Sequence, residues 1–320
     1  MKRVFLLYNP ASGPKRQMRL AQVEAARRAL AATGIETATE PTWRPGSASE
    51  QARDAIASGF DTILVGGGDG TVNEALQAMV GSPAILGVIP LGTANVLAND
   101  IGIPRDPADA ARTALNSIPR KILVARICSA RRDGGANQRY FLSTAGIGAD
   151  AELVYRLALG FKASRGMASY YAEAWRQWAT YSYPGFRVEF PTEGEAARQM
   201  VASQVLAVRI TQFGGVLRHL APGAALHKPD LQLVIFNTRS RWPYLHFMTR
   251  TLLERRWRTP HVELANASEL SCSPLDSSQR IYAEADGELV GVLPVSIAMS
   301  QQFVRLLVPP SRRDFADNDE

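Results

Sequence analysis

The first third of the chain alternates short apolar runs with segments whose apolar residues recur every three or four positions. Apolar runs of this length predict buried strands, and the second spacing predicts helices. The predicted strands are 4–8, 35–39, 62–65 and 84–89, and the predicted helices are 15–32, 47–58, 72–79, 94–100 and 107–117. Strands that alternate with helices predict a doubly wound parallel sheet, which binds ligands at the carboxyl ends of its strands.

After residue 121 the pattern changes to strands joined by turns rich in Gly, Pro and Asp. The predicted strands are 122–128, 140–145, 186–190, 204–210, 231–236, 261–264, 279–285 and 295–298. We therefore expect an α/β domain over 1–121 and a mainly antiparallel β-sandwich domain over 122–300. Helical insertions at 149–181 and 242–255 interrupt the second domain, a last strand covers 302–308, and the tail 309–320 is predicted to be disordered.

The clearest chemical signal is the glycine-rich loop between the predicted strand 62–65 and the helix 72–79. Glycine allows the backbone to approach an anion, and the first N–H groups of a helix have no partner within it. The loop is therefore predicted to bind phosphate groups. It has neither the third glycine of a dinucleotide fingerprint nor the lysine of a Walker loop. Asp69 fits such a loop if it orients a ligand hydroxyl or if a divalent cation separates it from phosphate; a simple helix N-cap is the alternative.

Composition and charge narrow the partners only a little. The net charge of +6 suits an anionic membrane or a nucleic acid, and charge alone does not choose between them. The two cysteines have neither a disulfide pattern nor metal-ligand spacing. The apolar run at the N-terminus is too short for a signal peptide, and no run approaches a membrane span, so we expect a cytoplasmic protein.

The two helical insertions are rich in aromatic residues and arginine. This composition suits a bilayer interface, although the aromatics would equally serve to pack the helices on the sheet. The residues concerned are Phe161, Lys162, Arg165, Tyr170, Tyr171, Trp175, Arg176 and Trp178 in the first insertion, and Arg239, Arg241, Trp242, Tyr244, Phe247, Arg250, Arg255, Arg256, Trp257 and Arg258 in and around the second.

Four segments occur in a telling order: NPASG at 9–13, GGDGTVNE at 67–74, PLGTAN at 90–95 and DGE at 286–288. Together they resemble the diacylglycerol kinase catalytic family, which includes bacterial lipid kinases, sphingosine kinases and ceramide kinase. The resemblance implies an N-terminal NAD kinase/diacylglycerol kinase-like domain that binds ATP, and a C-terminal domain that completes the cleft. It also implies Mg²⁺ dependence and transfer of the γ-phosphate to a lipid hydroxyl, diacylglycerol or a related lipid.

The resemblance also implies roles for individual residues. Glu288 matches the proton acceptor, Asp286 lies beside it, and Asp69 matches part of a magnesium and water network; no metal ligands are assigned. From the residues alone, the Asp-Gly pair at 286–287 favours a hairpin. The positions implied to bind the nucleotide are Asn9, Thr42, Gly67, Gly68, Asp69, Gly70, Thr71, Val72, Asn73, Thr93 and Asn95.

The sequence departs from the family pattern at two positions. Lys228 stands where an acidic residue is usual, which predicts that an auxiliary cation site is absent, and Thr211 stands where Asn is frequent. NAD kinase, and a lipid-binding or regulatory relative without turnover, remain alternatives. We expect a lipid substrate at the inner membrane surface, peripheral membrane contact and no nucleic-acid partner; a homodimer and the identity of the lipid stay open.

Overall fold

A computed structural model of the chain describes residues 1–13, 16–130, 136–159, 166–192, 195–213, 220–253, 258–276 and 278–318. The chain divides into two compact units. Unit 1 contains residues 1–124 and 301–320, and unit 2 contains residues 125–300.

Unit 1 alternates strands and helices. Its elements are β1 (Arg3–Tyr8), a 3-10 turn (Arg16–Met18), α1 (Arg19–Ala31), β2 (Glu36–Pro41), α2 (Ala48–Ala57), β3 (Thr62–Gly67), α3 (Asp69–Met79), β4 (Ile85–Pro90), α4 (Val96–Asp100), α5 (Pro107–Asn116) and the last part of β16 (Val295–Val308). The strands pair in parallel in the order β2-β1-β3-β4-β16. Every residue of β3 is buried, as expected for a central strand of a parallel sheet. The doubly wound α/β sheet predicted from the sequence is confirmed.

Two details of unit 1 differ from expectation. Helix α4 begins at Val96 rather than at residue 94, because Asn95 has a left-handed backbone with φ of 49°. The tail was expected to be disordered, yet Arg313–Asn318 forms a 3-10 helix. Phe315 in this helix is buried, and the Arg312 guanidinium lies 5.1 Å from the centre of its ring. One buried aromatic residue therefore gives order to a segment whose composition is polar.

Unit 2 consists mainly of antiparallel strands. Its elements are the last part of β5 (Ile118–Ala130), β6 (Ala136–Phe141), β7 (Thr144–Gly148), α6 (Ala149–Leu159), α7 (Gly166–Thr180), β8 (Phe186–Thr192), β9 (Glu195–Ala202), β10 (Gln204–Val208), β11 (Leu231–Phe236), α8 (Trp242–Leu252), β12 (Val262–Ala267), β13 (Glu269–Pro274), β14 (Tyr282–Ala285), β15 (Glu288–Val292) and the first part of β16. One sheet has the order β12-β11-β10-β7-β14-β15. In the other, β16, β13, β8 and β9 are neighbours, and β5 pairs with β6.

The core of unit 2 lies between these two sheets. Phe186 and Cys272 come from one sheet, Ile147 and Leu233 from the other, and all four are fully or almost fully buried in one cluster. Packing of two antiparallel sheets around a shared apolar layer is the arrangement of a β-sandwich. The predicted sandwich domain is confirmed.

Several elements of unit 2 were predicted imprecisely. The helical insertion predicted at 149–181 contains two helices, α6 and α7. Strands β9 and β13 were not predicted, because β9 is largely exposed and β13 has only two buried residues. The segments predicted as strands at 295–298 and 302–308 belong to one strand, β16. Among the described residues, no helix has both the length and the apolar character needed to span a bilayer.

Candidate active site

The glycine-rich loop of unit 1 connects β3 to α3. Gly68 is the N-cap of α3 and has an extended backbone, and the first helical hydrogen bond runs from the Val72 N–H to the Gly68 carbonyl. Residues 68–70 are only half-buried, whereas Thr71 and Val72 are buried. The Gly68 N–H donates to Ser12 Oγ at 3.3 Å, and residues 69 and 70 lie in the first turn of α3, where a ligand can reach them.

This loop is in direct backbone contact with the loop that follows β4. The Leu91 and Gly92 N–H groups donate to the Gly67 carbonyl at 2.9 and 3.1 Å. A Cβ at Gly92 would overlap Gly68 Cα and lie 2.7 Å from Asn95 Oδ1. Glycine is required at Gly92 because any side chain would separate the two loops. The GGDG and PLGTAN motifs thus form one cluster, which their spacing in the sequence does not reveal.

Asp69 and Asn95 hold the second loop in shape. Asp69 Oδ1 accepts a hydrogen bond from the Val96 N–H at 2.7 Å, at the start of α4. Asn95 Oδ1 accepts from the Gly92 N–H at 2.8 Å, and Asn95 Nδ2 donates to the Gly92 carbonyl at 3.0 Å. Asp69 therefore caps a helix, as the simpler interpretation suggested, but the helix is α4 rather than its own α3.

The loop after β1 joins the same cluster. The Asn9 N–H donates to the Gly66 carbonyl at 2.8 Å, and Asn9 Nδ2 donates to Thr71 Oγ1 at 3.1 Å. Sequence reasoning missed Arg19, which is 3% exposed and whose Nη2 donates to the carbonyls of Ser12 and, at 2.9 Å, Leu91. Burial lowers the pKa of Arg19. The buried Arg19 guanidinium thus joins the loop after β1 to the loop after β4. Its only signal in the sequence is an arginine at a position where the helical period predicts an apolar residue.

The other predicted nucleotide-binding residues have more varied positions. Thr42 is half-buried beside β1, where its N–H donates to the Tyr8 carbonyl at 2.8 Å, and Thr93 is exposed in the loop after β4. Asn73 is 1% exposed and its Oδ1 accepts from Gln77 Nε2 at 3.2 Å, so its side chain is bound within α3. Glu74 accepts from the Gly46 N–H at 3.1 Å and caps the start of α2.

Asp69 is the carboxylate of unit 1 best placed for a metal that accompanies a nucleotide, because it lies in the first turn after the glycines. Magnesium that enters with a nucleotide is held mostly by phosphate oxygens and water, with one or two protein carboxylates. A single half-buried Asp therefore fits that mode of binding. Within the described residues, no group of three or more His, Cys, Asp or Glu side chains is arranged to hold a metal by itself.

The predicted hairpin of unit 2 is confirmed. Strands β14 and β15 pair with Ala285 opposite Glu288, and Asp286 and Gly287 form the turn with φ of 49° and 81°. Two successive positive φ values are typical of the Asp-Gly hairpin turn. Glu288 is the first residue of β15 and is half-buried.

Asp286 is held by hydrogen bonds to backbone groups, through both its carboxylate and its own N–H. Its Oδ1 accepts from the N–H groups of Ser143 at 2.9 Å and Thr144 at 3.0 Å, and its Oδ2 accepts from the Leu142 N–H at 3.0 Å. The Asp286 N–H donates to the Thr144 carbonyl at 2.8 Å. The predicted neighbour of the proton acceptor is thus an anchor that holds the turn against the segment before β7.

A second acidic group in unit 2 was missed by sequence reasoning. Glu284 is 2% exposed, and its Oε2 accepts from the Gly287 N–H at 2.7 Å. A Cβ at Gly146 would lie 2.5 Å from Asp150 Oδ2 and 2.8 Å from Glu284 Oε1, so the two carboxyl groups converge over this glycine. Burial raises the pKa of Asp150, and burial together with repulsion from Asp150 raises that of Glu284 well above its usual range. Two carboxyl groups this close do not both ionise, so the pair holds a proton.

Lys228 and Thr211, the two residues that differ from the family pattern, both lie among the described residues. Lys228 Nζ donates to the Gly223 carbonyl at 2.8 Å. Nearby, Arg209 is fully buried, and its Nη2 donates to the Leu226 carbonyl at 3.1 Å. Burial lowers the pKa of Arg209 to about 10. Thr211 is half-buried, and the absence of an auxiliary cation site stays a prediction.

Both units of the chain are similar to known protein families. Residues 3–127 match the family model described as diacylglycerol kinase catalytic domain, and residues 143–308 match the YegS C-terminal NAD kinase beta sandwich-like domain. The chain is 28% identical to a diacylglycerol kinase of Bacillus subtilis (strain 168) over 99% of this chain and 100% of the relative. It is 24% identical to a diacylglycerol kinase of Staphylococcus carnosus (strain TM300) over 96% of this chain and 95% of the relative.

Solved structures agree on the fold. A crystal structure of a diacylglycerol kinase from Bacillus anthracis str. Sterne superposes with a TM-score of 0.69 at 19% identity, covering 97% of this chain and 98% of that one. A yeast NADH kinase complexed with NADH gives a TM-score of 0.53 at 10% identity, covering 99% of this chain and 87% of that one. At these identities the likeness concerns the fold alone.

Proposed function

Because the chain belongs to the diacylglycerol kinase catalytic domain family, we propose that it transfers the γ-phosphate of ATP to the hydroxyl group of diacylglycerol or a closely related lipid. The observation that carries this proposal is the glycine-rich loop, which lies inside the matched catalytic domain and presents half-buried residues 68–70 at a helix N-terminus. Such an N-terminus favours phosphate groups.

Unit 1 is proposed to bind ATP. The half-buried residues 68–70 would receive the phosphates, and Asn9 and Asn95 would keep the flanking loops in place through their backbone and side-chain contacts. Magnesium that enters with ATP would neutralise charge on the β- and γ-phosphates. Asp69 is the protein carboxylate we propose for that ion's environment.

Unit 2 is proposed to supply the proton acceptor. The lipid hydroxyl oxygen forms a bond to the γ-phosphorus while the bond from that phosphorus to the β,γ-bridging oxygen breaks, and ADP leaves. The hydroxyl proton moves to the Glu288 carboxylate, a step that typically contributes 10²- to 10⁴-fold to the rate. Support for Glu288 comes from its half-buried place directly after the Asp286–Gly287 turn, which three backbone N–H groups hold rigid.

The proposal is tested by incubating the purified protein with γ-labelled ATP, Mg²⁺ and diacylglycerol in mixed micelles. We expect labelled phosphatidic acid, and we expect Glu288→Gln to lower kcat by about 10²- to 10⁴-fold with little change in the KM for ATP. Glu269→Gln is the matched control, because Glu269 is an exposed carboxylate in the same unit. Full activity of Glu288→Gln would remove Glu288 as the base.

The same assay separates the alternatives. Monoacylglycerol, sphingoid bases, ceramide, polyprenols and phosphatidylglycerol define the acceptor range, and NAD and NADH serve as the competing class of acceptor. Phosphorylation of NAD without transfer to any lipid would contradict the proposal. Tight lipid binding without phosphate transfer would instead favour a binding or regulatory protein.

A further inference from the structure

Two helices of unit 2 carry large apolar side chains that no described part of the protein covers. On α7, Trp175 is 60% exposed, and on α8, Trp242 is 65% exposed. Met248 and Leu252 on α8 are also exposed. They lie roughly two and three turns after Trp242. Contiguous exposed apolar surface is uncommon on proteins that work in water alone, and it marks sites of interaction.

The exposed tryptophans form one connected surface. The rings of Trp175 and Trp178 stack with centres 5.0 Å apart, and Trp178 meets Trp242 edge-on at 5.6 Å. Trp178 Nε1 donates to the Arg241 carbonyl at 2.9 Å, and Arg241 Nη1 donates to the Ala179 carbonyl at 2.6 Å. The end of α7 and the start of α8 are therefore fixed to each other, and Trp175 and Trp242 are presented together.

Core packing does not require the exposed face of α8. The opposite face is buried through Tyr244 and Phe247, whose rings lie 4.3 and 5.2 Å from that of Phe236. Since these residues already attach the helix to the sheet, Trp242, Met248 and Leu252 are available to another partner. Within these helices some aromatics, such as Tyr244 and Phe247, pack inward, whereas Trp175 and Trp242 do not.

The charges around this face indicate which partner fits. Residues 237–253 contain Arg239, Arg241 and Arg250 and no Asp or Glu. The acidic residue of α7 (Gly166–Thr180) is Glu173, and its carboxylate is paired with Arg176 at 2.9 Å. Trp and Arg at one surface are typical of contact with the interface of a membrane, where the rings lie at headgroup level and the guanidinium groups meet anionic lipids.

We propose that this face docks on an anionic lipid bilayer. The docking surface consists of Trp175, Arg239, Arg241, Trp242, Met248 and Leu252. Phe161, Lys162, Arg165, Arg255, Arg256 and Trp257, named above as part of the same insertions, lie outside the described residues, as do the side chains of Tyr170 and Tyr171. The inference goes beyond the proposed reaction, because the contact should form with vesicles that contain no substrate lipid.

The test is co-sedimentation of the purified protein with vesicles of phosphatidylglycerol and phosphatidylcholine that lack diacylglycerol. We expect binding that weakens with added salt and that is much weaker on pure phosphatidylcholine. The double variant Trp175→Ala/Trp242→Ala should lose at least about tenfold in affinity. Arg239→Gln should lose about fivefold on the anionic vesicles and little on phosphatidylcholine.

Trp43→Ala is the matched control, since Trp43 is 58% exposed but belongs to unit 1 and should leave vesicle binding unchanged. Trp242 contacts Trp178, so Leu252→Glu provides a second variant on the same surface that disturbs no ring contact. It should weaken vesicle binding while leaving the thermal unfolding temperature near that of the parent protein.

Three results would overturn the proposal. The first is that the parent protein does not bind vesicles. The second is equal vesicle binding by the parent protein, the double tryptophan variant and Leu252→Glu. The third is a dimer in sedimentation equilibrium that Leu252→Glu dissociates, which would assign the surface to a second copy of the chain. Activity on a short-chain, monomerically soluble diacylglycerol separates this proposal from the kinase proposal, because the docking variants should retain it.

Discussion

The glycine-rich loop of unit 1 and the acidic hairpin of unit 2 are both built around an Asp-Gly pair. Asp69 precedes Gly70 at the start of α3, and Asp286 precedes Gly287 in the turn between β14 and β15. In both places the carboxylate accepts backbone N–H groups of a neighbouring segment. The same two residue types thus tie a loop to a neighbouring segment in each unit.

The neighbours of the two pairs differ in kind. The glycine loop packs backbone on backbone, with Gly68 against Gly92, so its geometry depends on the absence of side chains. The hairpin packs acid near acid, with Glu284 close to Asp150, and burial raises the pKa of both carboxyl groups. The glycine loop should therefore be sensitive to an added methyl group, and the hairpin should be sensitive to pH.

The largest effect should come from removing the anchor of the hairpin. Asp286→Ala leaves three backbone N–H groups without their charged acceptor and should lower the free energy of unfolding by about 4 kcal/mol. Asp286→Asn keeps an acceptor oxygen and should lose clearly less. Chemical denaturation of the three proteins measures both, and equal stabilities would show that the anchor contributes nothing.

The close backbone packing of the glycine loop is tested by Gly92→Ala. The added methyl group would overlap Gly68 and crowd Asn95 Oδ1, so we expect a loss of about 3 kcal/mol in unfolding free energy and loss of ATP binding in calorimetry. Gly185→Ala is the control, because its methyl group would meet side-chain atoms of Val201 and Arg239 at 3.2 Å rather than the backbone. Equal losses of unfolding free energy and ATP binding in the two variants would contradict a special requirement for glycine at position 92.

The electrostatic half is tested by Glu284→Gln. The raised pKa values of Asp150 and Glu284 mean that, above about pH 4, the folded protein binds more protons here than the unfolded chain. This pair's stabilising contribution is therefore present in acid and is lost as the pH rises towards the folded pKa values.

Glu284→Gln should remove part of that loss and flatten the pH dependence of unfolding, by at most about 1.4 kcal/mol per pH unit. Glu269→Gln, an exposed carboxyl of the same unit, is the control and should keep the parent's slope. The other ionisable groups on or next to the elements packed against β14 are Arg139, Tyr140, Glu152, Tyr155, Arg156, Asp286 and Glu288. A parent stability that rises with pH above 4, unaltered by Glu284→Gln, would contradict the shared proton.

The smallest effect should come from Asp69→Ala. It removes the carboxylate that accepts the Val96 N–H at the start of α4, and should lower the unfolding free energy by about 1 kcal/mol. Thermal unfolding measures it. A loss as large as that of Asp286→Ala would mean that the two Asp-Gly pairs carry equal structural weight, which would contradict this prediction.

Much of the architecture was predictable because it depends on short-range patterns. The alternation of strands and helices predicted the parallel sheet of unit 1, and the apolar strands predicted the sandwich of unit 2. Strands β9 and β13 escaped prediction because their residues are too exposed or too polar to give a clear alternation. Pairing with a neighbour, rather than their own side chains, makes them strands.

The sequence by itself determined where glycine and Asp-Gly place the backbone, since a positive φ or a close approach depends on the residue at that position. Only the tertiary structure decided what each carboxylate meets. Asp69 caps α4, Arg19 joins two loops, and the carboxyl groups of Glu284 and Asp150 converge over Gly146, all through contacts with residues distant in sequence. Local backbone preference is encoded residue by residue, whereas the partner of a charged group depends on which distant segments the fold brings beside it.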